Sequence, residues 1–196
     1  VGQPPAPTVA CAGAEPSRYL ERTTGADFPR APGSSVPNAI VLRTGQPLGA
    51  GGDEEAYSIA VRGDSLLLTG ASDRAVLYAV YDLLARLGCE CLAPDLDFYD
   101  GAAEVVPRQP TLVYQAATDV VEDPVFAFRK IDVEEGLSHD TESLLRIVEW
   151  MPKVRYNTLQ VPMDYGGTGR VRWDAWREVL TPELEKRGIL IEVGGH

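Results

Sequence analysis

The chain has 196 residues, 44% of them hydrophobic, so it can bury an ordinary globular core and does not have the composition of a disordered polymer. Its 29 acidic and 18 basic residues leave a net charge of −11, which repels nucleic acid and anionic membrane and argues against both as partners. No apolar run approaches the ~18 residues that a membrane span requires, and Cys11, Cys89 and Cys91 form no metal-ligand pattern and read as small buried thiols.

The first dozen residues are rich in Pro, Ala and Gly and are expected to be extended. Val1 opens the chain without a charged-then-apolar leader, as after removal of a signal peptide or a cut upstream. A short helix is expected over residues 15–24, with Tyr19 and Leu20 toward the core and Gly25 as a left-handed cap. Residues 39–44 read as a strand and 46–55 as a glycine-containing loop. A hairpin follows, 56–62 and 65–69 around Gly63-Asp64. Ser72 is placed to cap a helix over 73–87, whose apolar stripe is Val76, Val80, Leu83, Leu84 and Leu87, with Gly88 at its end. Residues 89–93 read as a strand. Residues 104–106 and 111–114 read as a final strand pair broken by Pro107 and Pro110. These elements make an α+β accessory domain, a mixed sheet with helices, over residues 1–117. Residues 118–125 form an acidic linker.

The pattern then changes to β-α-β-α-β. Strands are expected over 126–133, over 158–163 and from 189 onward. Their starts recur at the spacing of an eight-unit β/α barrel, whose roughly 250 residues repeat about every 31. Asp140 can cap a helix carrying Leu144, Ile147, Val148 and Met151, which Pro152 ends or kinks. Residues 173–187 carry Trp173, Trp176, Leu180 and Leu184. Thr181-Pro182 suggests two helical pieces there, the second capped by Thr181. The fold class expected is thus α/β: an accessory domain, then the first three strands of a TIM barrel over 126–196.

Parallel β/α strands aim their carboxyl ends at the ligand, so chemistry is sought there. The first strand offers Asp132, Glu134 and Glu135, the second Asp164 and Tyr165, the third Glu192 and His196. Carboxylates accept hydrogen bonds from sugar hydroxyls, and a tyrosine ring can face a sugar ring. The alternative is that these acids are solvated surface. Arg129, inside the first expected strand, needs an anionic or multiply accepting partner: a sugar hydroxyl or a carboxylate of the neighbouring strand. His139 falls in the first β→α loop and could face the same rim or simply start a helix. The glycines of 165–169 lack a following Lys-Ser/Thr and no helix is expected directly after them, so a nucleotide is not implied. No cofactor or metal is implied by any motif.

Several runs resemble a group of glycoside hydrolases. Tyr19-Leu20-Glu21-Arg22 with Gly25-Ala26-Asp27-Phe28-Pro29 looks like the opening helix of their non-catalytic α/β domain. So does Leu66-Leu67-Leu68-Thr69-Gly70-Ala71-Ser72 leading into Ala75-Val76-Leu77-Tyr78 and Leu87-Gly88-Cys89. This pattern is typical of the domain before the barrel in family 20 hexosaminidases and family 67 α-glucuronidases. Arg155-Tyr156-Asn157-Thr158 resembles the approach to the second barrel strand. Gly188-Ile189-Leu190-Ile191-Glu192-Val193-Gly194-Gly195-His196 resembles the third-strand segment that ends in Pro-Gly-His in family 20, with Gly194 in place of the proline. The family-20 arginine stands five residues before an aspartate, whereas Arg129 stands three before Asp132.

The resemblance implies a carbohydrate substrate, with His196 at the sugar site and Glu192 as the acidic residue four before it. Arg129, Asp132, Asp164, Glu192 and His196 would bind hydroxyls. The catalytic acids would follow a fourth strand, beyond residue 196, leaving no catalytic residue in this chain. The parent would hydrolyse a glycosidic bond between two carboxylic acids, with help from a substrate N-acetyl group in family 20 and with inversion in family 67. Polysaccharide breakdown implies export to the periplasm or the extracellular space. Against this stand a non-catalytic carbohydrate-binding or scaffolding module and an independent three-layer α/β module.

Overall fold

The computed structural model describes residues 5–31, 37–46, 48, 53–114, 119–133, 140–161 and 168–193. The chain divides into two compact units, Val1–Glu90 with Val105–Val125, and Cys91–Glu104 with Phe126–His196.

The first unit opens with α1 (Pro7–Thr24), which starts eight residues before the expected helix and overturns the extended reading over residues 7–12. Pro7 sits in the first helical turn, where its missing N–H has no intrahelical partner to lose, and the alanines that follow propagate the helix. Cys11, Ala12, Pro16, Tyr19, Leu20 and Thr23 make its buried stripe. Gly25, at φ 77°, ends the helix by donating its N–H to the Glu21 carbonyl at 2.8 Å, as expected of a left-handed cap.

Four strands form the sheet of this unit, in the order β1-β3-β2-β6. β1 (Ile40–Thr44) runs parallel to β3 (Ser65–Gly70), in register from Ile40↔Leu66 to Thr44↔Gly70. β2 (Tyr57–Arg62) and β3 are the expected hairpin, with Arg62 opposite Ser65. Gly63 takes φ 60° in the two-residue turn, a conformation that glycine adopts without a Cβ clash. β6 (Val120–Glu122) pairs antiparallel with β2, so a strand runs through the segment expected to be a linker. Its two adjacent valines suit a pleated edge. Residues 111–114 are not a strand: Pro107 and Pro110 deny the backbone donors that a ladder needs, and Leu112 and Tyr114 pack on the core instead.

α2 (Asp73–Arg86) is the centre of this unit. The Ser72 hydroxyl accepts from the Ala75 N–H at 3.3 Å, as a cap should. Every residue from Ala75 to Leu84 is buried, which is broader than the expected stripe. A helix buried on all sides needs apolar residues all round, and Leu77, Tyr78, Ala79 and Tyr81 supply the faces that the stripe left out. Asp82, also buried, pairs with Arg86 at 3.1 Å.

β4 (Glu90–Cys91) and β5 (Glu104–Val105) are two-residue strands paired with one another. Between them Leu96 enters the core of the second unit. The expected strand over 89–93 is thus reduced to two residues.

The second unit is built on β7 (Lys130–Asp132), β8 (Thr158–Val161) and β9 (Leu190–Val193), in that spatial order and all parallel. Parallel neighbours need long crossovers, and α3 (Thr141–Trp150) and α4 (Thr168–Arg187) provide them. Asp140 caps α3, accepting from the Ser143 N–H at 2.7 Å. A 3-10 turn, Met151–Val154, follows it and carries Pro152. Leu144, Ile147 and Val148 of α3 and Trp176, Leu180 and Leu184 of α4 share one core with Val133, Leu159 and Val161. The described residues form three β/α-type strands rather than a closed barrel.

α4 is one helix rather than two pieces, and it begins at Thr168, inside the glycine run after which no helix was expected. Trp176, Leu180, Leu184 and Arg187 are buried at helical spacing on both sides of Pro182, which is itself exposed. Packing of that stripe outweighs the lost ladder bond. Pro182→Ala restores the missing donor, so it is expected to raise unfolding stability by about 1–3 kcal/mol, measured by urea denaturation. Glu183 is held below the ordinary glutamate range, chiefly by its hydrogen bond to Arg187. A carboxyl whose folded pKa is depressed stabilises the fold at neutral pH and ceases to do so as pH falls through that depressed value. Glu183→Gln is therefore expected to destabilise at neutral pH, with the difference from the unaltered chain fading as pH falls through that depressed value, read as urea midpoints at neutral pH and through the acid range.

Candidate functional site

Successive side chains on a strand alternate between faces, and register partners in a parallel pair share one. Ile131, Leu159 and Ile191 are register partners and pack against the core that α3 and α4 close. The opposite face carries Lys130, Thr158 and Leu190 at one level and Asp132, Gln160 and Glu192 at the next. The second level lies toward the carboxyl ends of the strands. Asp132 and Glu192 are exposed and Gln160 is half-buried. A parallel sheet is usually covered on both faces. This one presents a polar row on the face opposite the α3 and α4 core.

Strand spacing sets the scale of that row. Two inter-strand steps put the Cα atoms of Asp132 and Glu192 about 10 Å apart, with Gln160 between them. Lys130 reaches diagonally across the sheet, its Nζ 3.0 Å from Glu192 Oε1. Among the described residues, Glu192 Oε2 and the Gln160 side-chain amide take part in no hydrogen bond. Glu192 Oε2 thus offers an acceptor beside an amide that both donates and accepts, a set suited to hydroxyl groups.

Two expected site residues, Asp132 and Glu192, therefore stand on one face in one register. Arg129 does not join them. It precedes β7, at the amino end of the sheet, and three residues separate it from Asp132, about 10 Å along a strand. Its guanidinium donates to the Arg155 carbonyl at 2.7 Å and to the Phe126 carbonyl. Its backbone N–H donates to Asn157 Oδ1 at 2.9 Å. Two backbone carbonyls thus supply acceptors that a half-buried arginine requires. Asp164 and His196 lie outside the described residues, as do Glu134, Glu135, His139 and Tyr165.

Gln160 and Lys130 escape a reading confined to residues at or past each strand end. Their signal is the alternation Thr158, Leu159, Gln160, Val161: a glutamine on the non-core face of a central strand. Among the described residues no group of three or more His, Cys, Asp or Glu side chains could hold a metal ion, and no helix is long and apolar enough to cross a membrane.

No family model and no curated protein matches the sequence. Solved structures do match the fold. A family GH115 4-O-methyl-α-glucuronidase with specificity for decorated arabinogalactans superposes at TM-score 0.68 and 20% identity, over 95% of this chain and 27% of that one. The Streptomyces plicatus N-acetyl-β-hexosaminidase superposes at 0.62 and 18%, over 95% of this chain and 39% of that one. A GH138 enzyme targeting pectin rhamnogalacturonan II superposes at 0.62 and 17%, over 97% and 24%. The fold is one found in glycoside hydrolases. The hexosaminidase likeness follows the sequence resemblance, and the α-glucuronidase reported above is of family GH115. This chain spans from 24% to 39% of the length of these three enzymes.

Proposed function

We propose that the chain is part of a glycoside hydrolase and supplies one wall of its sugar site. In this reading the first unit is the non-catalytic accessory domain, and the second is the opening of a β/α barrel. The observation that carries it is the register Asp132↔Gln160↔Glu192 across three parallel strands, on the face opposite the α3 and α4 core. The fold likeness to three glycoside hydrolases over nearly the whole chain supports the same reading.

Asp132, Gln160 and Glu192 bind sugar hydroxyls, joined by Asp164 and His196 from the segments after β8 and β9. Arg129 is released from that role and ties the approach to β7 onto the Arg155 turn. The acid and base that cleave the glycosidic bond come from chain other than residues 1–196. The protein is exported and works in the periplasm or outside the cell.

Calorimetric titration with N-acetylglucosamine and with glucuronic acid tests the reading. Each charge-assisted hydrogen bond lost is worth about 1.5 kcal/mol, or roughly tenfold in Kd. Glu192→Gln is expected to weaken sugar binding by about that factor. Failure of both sugars to bind, or affinity unchanged in Glu192→Gln and Asp132→Asn alike, would remove the row from the site.

A further inference from the structure

We infer that Lys130 is a further sugar-binding residue, donating to one hydroxyl of a pyranose while it fixes the Glu192 carboxylate across the middle strand to accept from the neighbouring hydroxyl. The inference rests on the sugar-binding reading above and adds a residue to it.

The geometry is unusual for a surface ion pair. Lys130 belongs to β7 and Glu192 to β9, and β8 lies between them. Their own register partners on β8 are Thr158 and Gln160, one level apart, so the lysine crosses the sheet diagonally to reach the upper row. Both side chains stay about half exposed, at 46% and 45%. Exposed pairs of that kind contribute little to folding, because water screens the attraction and ordering two long side chains costs entropy. What the contact does accomplish is orientation. It engages Oε1 and leaves Oε2, which accepts no hydrogen bond among the described residues.

The chemistry of the two groups then complements a diol. A lysine ammonium has three donors and no acceptor, and an ionised carboxylate only accepts. With one N–H given to Oε1, Lys130 keeps two donors beside the remaining acceptor oxygen of Glu192. A sugar hydroxyl both donates and accepts. Two neighbouring hydroxyls can therefore meet this pair, one giving its proton to Oε2 and the other receiving an N–H from Nζ. Holding the carboxylate in one rotamer beforehand removes an ordering cost from binding.

The test is a double-mutant cycle read by sugar affinity. The unaltered chain, Lys130→Met, Lys130→Arg, Glu192→Gln and the Lys130→Met/Glu192→Gln pair are titrated with N-acetylglucosamine and with glucuronic acid. Lys130→Met and Glu192→Gln should each weaken binding about tenfold, and the double variant should weaken it by clearly less than the product of the two, since each group also orients the other. Lys130→Arg should recover most of the loss. The thermal midpoint of Lys130→Met should match that of the unaltered chain, which separates sugar binding from folding. Affinity that Lys130→Met leaves intact, or losses that add in the double variant, overturn the inference while leaving the sugar site standing. An unaltered chain that binds neither sugar overturns both.

Discussion

Gly70→Ala is expected to destabilise the first unit by about 3 kcal/mol, the upper end of what overpacking usually costs. Gly70 closes β3, and its backbone passes against the first turn of α2. A Cβ there would lie 2.4 Å from the Val76 nitrogen, 2.8 Å from the Ala75 carbonyl carbon and 2.9 Å from Ala75 Cβ. Two of those three atoms are backbone, so no rotamer change can relieve the clash. The helix that would have to move is buried from Ala75 to Leu84, and displacing it opens the core around Tyr19, Tyr57 and Leu68. Gly45 provides a contrast. Its φ is 78°, and a Cβ there would meet nothing within 4 Å, so only backbone strain opposes Gly45→Ala. Amide hydrogen exchange along α2 should show Gly70→Ala losing far more protection than Gly45→Ala. Equal protection in the two variants would contradict the packing argument.

Asn157→Leu is the second large effect, about 3 kcal/mol or more, because a fully buried polar hub loses its partners at once. Asn157 Oδ1 accepts from the Arg129 N–H at 2.9 Å and from the Thr158 hydroxyl at 3.0 Å. Its amide donates to the Ala127 carbonyl at 2.7 Å. Its own backbone donates to the Arg129 carbonyl at 2.9 Å, and its carbonyl accepts from the Leu190 N–H at 2.8 Å. One residue thereby holds the approaches to β7, β8 and β9 at a common level. Leucine has nearly the volume but none of the side-chain donors or acceptors, so the Arg129 N–H and the Ala127 carbonyl lose these partners. The three tryptophans all lie in this unit, at 150, 173 and 176, so tryptophan fluorescence in urea reports its unfolding. A midpoint that Asn157→Leu does not shift would show that the hub is dispensable.

How much of this could be read beforehand depends on how local the signal was. The hairpin, the Ser72 and Asp140 caps and the Gly25 terminus are decided within a few residues, and all stand as expected. The parallel order of β7, β8 and β9 follows from their β/α period. Elements decided by distant partners were misread. α1 runs back to Pro7 because Cys11 and Ala12 find a core. α4 runs through Pro182 because Trp176, Leu180 and Leu184 are buried together. β6 becomes a strand only by pairing with β2. At the candidate site, Asp132 and Glu192 were legible as polar residues near strand ends. Gln160 and Lys130 were not, since their place depends on register, which three short strands do not announce. Arg129 was placed in a strand that begins one residue later, and that single step moved its guanidinium to the backbone of the 126 and 155 turns.

Sugar bound at the carboxyl-end row of β7, β8 and β9, as proposed, must leave its mark on that row. Backbone amide chemical shifts, followed while N-acetylglucosamine or glucuronic acid is added, test this residue by residue. The largest changes should fall on the amides around Asp132, Gln160 and Glu192, with little change along α2. Saturable shifts confined to the first unit, with that row silent, would contradict it.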